Sequence, residues 1–135
     1  MSTWMGLRHV ALNVDDVSRS VEFYQKILGM RLEWQPDPAN AYLTSGQDNL
    51  ALHQVPRSTQ PEWAAGQKLD HIGFVVRHPE NVDDWAARIR SFGIPLEKEP
   101  KTHRDGARSF YFRDPDQNLI QIIYHPPISD REEQT

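Results

Sequence analysis

The chain contains no cysteine. That excludes disulfides, thiolate metal sites, cysteine-ligated iron–sulfur clusters and cysteine nucleophiles. It also has no run of about 18 apolar residues, so no membrane-spanning helix is expected. Met1–Arg8 lacks the basic and apolar regions of a secretory signal, which makes the cytoplasm the expected location. No two Lys or Arg residues are adjacent, and the net charge is −4. A nucleic-acid partner, which would require a basic stripe, is therefore not expected. What remains is a 135-residue chain, 38% hydrophobic and 25% charged, with 4 Trp, 4 Tyr and 5 Phe. That is polar but globular, of one domain's length, and its charge suits a soluble protein acting on small molecules.

An internal repeat organises it. Leu7-Arg8-His9-Val10-Ala11-Leu12-Asn13-Val14 returns 62 residues later as Leu69-Asp70-His71-Ile72-Gly73-Phe74-Val75-Val76. Both copies read as short strands. A helix follows each. The first opens at Asp15-Asp16-Val17-Ser18, carries Val17, Val21, Tyr24 and Leu28 at helical spacing, and stops at Gly29. The second opens at Pro79 and Asn81, carries Val82, Trp85, Ala86 and Ile89, and stops at Gly93. Tyr42–Pro56 and Phe112–Pro126 then align at an offset of 70, each as strand–turn–strand, with a type I turn opening at Asp114-Pro115-Asp116. The modules run from about 5 to 57 and about 68 to 127, joined by a polar linker at about 58–67 and followed by a charged, frayed tail at 128–135.

Alternation along the first strand of each module puts its apolar residues on one side, toward the helix. His9, Ala11 and Asn13 then share the opposite face, as do His71, Gly73 and Val75. A lone strand histidine is more often a hydrogen-bonded residue than a ligand. Two at equivalent places in a repeat point to a shared metal, although two are too few for a tight site.

L-R-H-V-A-L-N-V, S-V-E-F-Y-Q-K-I-L-G-M, L-D-H-I-G-F-V-V and Y-F-R-D-P-D-Q-N-L-I-Q-I-I together resemble the vicinal oxygen chelate superfamily of glyoxalases, extradiol dioxygenases, fosfomycin-resistance enzymes, epimerases and bleomycin-resistance proteins. The resemblance covers roughly residues 7 to 123. It implies an α+β fold of two tandem βαβββ modules forming a cupped mixed sheet, in one domain over 1–135, and a homodimer. The metal ligands it implies are His9, His71 and the last-strand position, where the usual Glu is here Gln121. A fourth ligand position, used by glyoxalases and epimerases, is Ala51; His53 lies two residues on and on the same face. Gln117 replaces the turn glycine usual in the family.

An amide oxygen can ligate but neither neutralises charge nor acts as a base. With Ala51 and Gln121 in the carboxylate places, standard glyoxalase I activity is not expected, and no catalytic acid or base is assigned. Glu33, Glu97 and Glu99 are candidate substitutes. Two functions follow. One is a metal-dependent small-molecule enzyme, dioxygenase- or lyase-like, with Fe(II), Mn(II), Ni(II) or Zn(II) acting as a Lewis acid on adjacent substrate oxygens. The other is a metal-free binding protein of the bleomycin-resistance type, walled by Trp34, Tyr42, Trp63 and Tyr111. Candidate substrate-binding residues are His53, Tyr42, Arg108 and Tyr111, with His103 as an alternative anion holder. Trp4 is read as a packing or dimer residue, and Asp15-Asp16 as a helix cap.

Overall fold

A computed structural model describes Met5, residues 7–59 and residues 69–132. Trp4, Trp63, linker residues 60–67 and the last three tail residues lie outside the described residues. The chain divides into two compact units, Met1–Gln67 and Lys68–Thr135. The first contains β1 (His9–Val14), α1 (Val17–Glu22), β2 (Arg31–Asp37), β3 (Asn40–Thr44) and β4 (Asn49–Gln54). The second contains β5 (Ile72–Val76), α2 (Pro79–Ser91), β6 (Leu96–Thr102), β7 (Arg108–Arg113), β8 (Leu119–Tyr124) and α3 (Pro126–Glu132). The sheets have the orders β1-β4-β3-β2 and β5-β8-β7-β6. In each, the first and last strands pair in parallel and the other pairings are antiparallel. Each unit is therefore the expected βαβββ module.

Local chemistry explains the boundaries. Asp16 caps α1, its Oδ1 accepting the Arg19 N–H at 3.3 Å. Pro79 begins α2, and the Asn81 side chain accepts the preceding His78 N–H at 3.0 Å. Both helical segments end at a glycine in the left-handed region, Gly29 at φ 74° and Gly93 at φ 76°. The first is not α-helical throughout, because Phe23–Ile27 winds as a π-helix. Pro36 and Pro100, which cannot donate to a ladder, both lie in outermost strands, β2 and β6.

The strand faces alternate as anticipated. In β1, Leu12 and Val14 are buried while His9, Ala11 and Asn13 are exposed. Ala41, Leu43, Leu50 and Leu52 complete the helix-facing side of the first sheet, with Val17, Ser20, Phe23 and Tyr24 buried on the helical segment. In the second unit Phe110, Phe112, Ile120 and Ile122 are buried with Val82, Ala86 and Ile89 of α2. Each buried Val, Leu, Ile or Phe side chain among these contributes about 1.5–3 kcal/mol from its removal from water.

Details of the hairpins and of the tail differ from the sequence expectation. Tyr42 pairs with Ala51 and Tyr111 with Gln121, so the counterpart of Tyr42 is Tyr111, not Phe112. The first hairpin has a turn shorter by one residue, which a constant offset of 70 conceals. The tail does not begin as frayed chain at Ile128, since α3 runs through Glu132. Ser129 anchors that helix: its hydroxyl donates to the Val76 carbonyl at 2.7 Å and accepts the His125 N–H at 3.1 Å. Finally, Gln117 adopts φ 69°, the left-handed conformation that explains a glycine preference at this turn.

Candidate functional site

Each unit turns one sheet face away from its helix, and the chemistry-bearing residues gather there. In the first unit that face holds His9, Ala11 and Asn13 of β1, Asn49, Ala51 and His53 of β4, and Asn40 and Tyr42 of β3, all in register. His9 Nδ1 meets Asn49 Oδ1 at 2.8 Å, and His53 Nδ1 meets Asn40 Oδ1 at 2.6 Å. An amide oxygen only accepts, so in each ring Nδ1 carries a proton and donates, and Nε2 is the nitrogen turned to other partners. Along paired strands, His9 and His53 are four residues apart, about 13 Å. One ion cannot take both. Tyr42 lies edge-on to His53 with ring centroids 6.0 Å apart, and stacks on Trp34 at 5.1 Å. Trp34 itself is 59% exposed.

In the second unit the same face holds His71, Gly73, Tyr111 and Gln121. His71 Nδ1 meets Asp70 Oδ1 at 2.6 Å, which again engages Nδ1 and leaves Nε2 as the nitrogen turned to other partners. Tyr111 links the cluster. Its ring lies edge-on to His71 at 5.4 Å, and its hydroxyl oxygen accepts from Gln121 Nε2 at 2.9 Å. That bond turns Gln121 Oε1 toward β5, where a side chain at Gly73 would meet it at 3.5 Å. The carbonyl oxygen, the donor an ion would use, stands over the bare glycine.

Several sequence candidates have other partners. Arg108 shares the helix-facing parity of Phe110 and Phe112, so it does not reach the open face as expected of a substrate ligand. Its guanidinium instead grips Asp83 of α2 at 2.9 and 2.7 Å and Thr102 Oγ1 at 2.9 Å. This pairing holds the Asp83 carboxyl below its usual range, mainly through the Arg108 side-chain hydrogen bond, with burial opposing and the Arg108 charge adding. Of the candidate replacement carboxylates, Glu97 pairs with Arg113 at 3.1 Å and Glu99 with Arg90. His103 Nε2 lies 3.3 Å from Ser109 Oγ.

Among the described residues, no three His, Asp or Glu side chains gather into one group. Taken unit by unit, the donors are of the imidazole and carbonyl kind that a divalent ion accepts: His9 Nε2 in the first, and His71 Nε2 with Gln121 Oε1 in the second. None of these side chains is a carboxylate. The residues missed by sequence reasoning are the partners that set the rings, Asn40, Asn49 and Asp70. Asp70 was visible as the neighbour of His71, whereas the Asn residues required the strand register.

Known proteins share this arrangement of elements. Glutathione transferase FosA of Serratia marcescens is 31% identical over 120 residues, covering 86% of this chain and 78% of that protein. Metallothiol transferase FosB of Bacillus licheniformis is 25% identical over 118 residues, covering 87% and 74%. The structure of a lactoylglutathione lyase from Agrobacterium tumefaciens superposes with a TM-score of 0.76 at 20% identity, covering 94% of this chain and 98% of that one. At that identity the likeness concerns the fold alone. Residues 6–122 match the Glyoxalase/Bleomycin resistance protein/Dioxygenase superfamily as a family. By that match over most of its length, the chain belongs to this superfamily.

Proposed function

We propose that this protein is a metal-dependent enzyme acting on a small molecule, a cytoplasmic homodimer with His9, His71 and Gln121 as ligands to Fe(II), Mn(II), Ni(II) or Zn(II). The observation that carries the reading is the state of the two imidazoles. Each has Nδ1 held by a side-chain oxygen, so Nε2 is the nitrogen each would offer to an ion. Such an ion supplies Lewis acidity toward two adjacent substrate oxygens. The reaction is dioxygenase- or lyase-like, and the likeness to FosA and FosB adds transfer of a thiol to the reactions worth assaying. The protein's own residues orient the substrate. Tyr111 already accepts from Gln121, so its O–H remains to donate to a substrate oxygen, while Gln121 offers its carbonyl.

A specific observation favours a second reading, a metal-free protein binding an aromatic or cationic compound. The exposed Trp34, stacked on Tyr42 beside the small Ala51, makes a platform for a planar ring. Bound metal in protein purified without chelator separates the two. We expect about one ion per chain, lost in His9→Ala/His71→Ala, and Gln121→Glu raising affinity about tenfold by adding ligand charge. No metal, and no uptake of any of the four ions, would overturn the enzyme reading in favour of the binding protein.

A further inference from the structure

The ligands His9, His71 and Gln121 contribute no negative charge, yet a carboxylate stands one bond further out. We infer that Asp70 is a positioning residue for the metal, fixing His71 with its lone pair on Nε2 and supplying through that ring the charge that Gln121 does not. The inference rests on the metal reading above.

Comparison of the repeats shows that the fold does not require this carboxylate. The residue matching Asp70 in the first unit is Arg8, which donates to Gln47 Oε1 at 3.2 Å and leaves its neighbour His9 to Asn49. The residue matching Asn49 in the second unit is Leu119, aligned by the shared strand register, and it has no acceptor to offer. His71 has thus exchanged a neutral partner across the sheet for an anionic one next to it in the chain. The contact, His71 Nδ1 to Asp70 Oδ1, measures 2.6 Å. A carboxylate behind an imidazole raises the basicity of the ligating nitrogen, and losing such a partner typically weakens metal binding about 10- to 100-fold. The Asp70 side chain is 85% exposed, so water screens it and the lower end of that range applies.

Co(II) titration at neutral pH, followed by its visible absorption, tests this on the full chain. Asp70→Asn keeps an acceptor oxygen and removes only the charge. It is expected to bind Co(II) about tenfold more weakly while His71 stays protonated on Nδ1. Asp70→Ala removes both and is expected to bind more weakly still. In its metal-free form, nitrogen NMR should then show His71 protonated partly on Nε2, a change that a merely structural role would not produce. Asp70→Glu should restore most of the affinity. Wild-type binding that both Asn and Ala variants match within about twofold overturns the role of Asp70 and leaves the metal reading standing. An Ala variant whose His71 keeps its proton wholly on Nδ1 also overturns it. A wild-type chain that takes up no Co(II) overturns both together.

Discussion

The two units have the same strand order and the same parallel closing pair, yet they spend their aromatic side chains differently. In the first, the helix-facing positions of β3 are Ala41 and Leu43, and the buried rings, Phe23 and Tyr24, come from the helical segment. In the second, the matching β7 positions are Phe110 and Phe112, their rings 5.8 Å apart, and α2 offers the smaller Ala86 and Ile89. The open faces diverge in the same manner. Trp34 beside Tyr42 in the first corresponds to Lys98 beside Tyr111 in the second. A sheet register constrains which side chains meet and leaves open which of two facing layers supplies the volume. Duplication therefore preserved the backbone and the first-strand histidine while the partners of each were exchanged.

The largest effect should come from the core side of that comparison. Phe112→Ala removes a fully buried ring and is expected to cost about 3–5 kcal/mol in denaturant unfolding. Leu43→Ala, its counterpart, is expected to cost about 2–4 kcal/mol, since fewer atoms leave and the neighbours can close in. A smaller loss at Phe112 than at Leu43 would break the idea that sheet rings carry the second core. Ala41→Phe sharpens it, because a ring there competes with volume the helical segment already fills, and overpacking typically costs about 1–3 kcal/mol.

Much of this arrangement was legible in the sequence, for physical reasons. Strand alternation placed His9 and His71 opposite the helices, and the capping residues and terminal glycines placed the helical segments, because both signals are local. The one-residue difference between hairpin turns was not legible: the offset of 70 that fits β4 and β8 hides it, and only pairing shows Tyr42 matched to Tyr111. Arg108 reads as the end of a polar loop, but once it is the first residue of β7 its parity with Phe110 sends it to the helix side. The ring partners Asn40 and Asn49 become visible only across strands. Helix α3 depends on a tertiary bond from Ser129 to Val76, which local propensity cannot reveal.

The turns give the next effect. Gln117 stands at φ 69° between β7 and β8, where an L side chain crowds the following carbonyl. Glycine there escapes that crowding but loses more chain entropy on folding, so Gln117→Gly should stabilise the protein by about 0.5–1 kcal/mol. Asp114 would keep the turn, because its Oδ1 accepts from the Asp116 and Asn118 N–H groups at 2.9 and 2.8 Å in either variant. A loss of stability would mean that the Gln117 side chain contributes more than its backbone costs.

The smallest effect isolates a contact that the first unit lacks. Asp83 and Arg108 join α2 to β7, whereas the matching positions, Val21 and Ala39, cannot form an ion pair. Because Arg108 lowers the Asp83 value in the folded protein, the unfolded chain binds the proton more readily. The stabilisation is therefore complete above the unfolded value of about 3.9 and disappears as pH falls through the lower folded value. Asp83 is 51% exposed and the pair is screened, so Asp83→Asn should cost about 0.2–0.5 kcal/mol at pH 7 in low salt and less in high salt. Below the folded value, wild type and variant should converge. The side chain at position 83 is then uncharged in both, a protonated Asp83 in one and the amide of Asp83→Asn in the other, and Arg108 faces an uncharged oxygen in either protein. A difference that persists undiminished into acid would show that packing of the Arg108 stem, not its charge pair, ties the helix to the sheet.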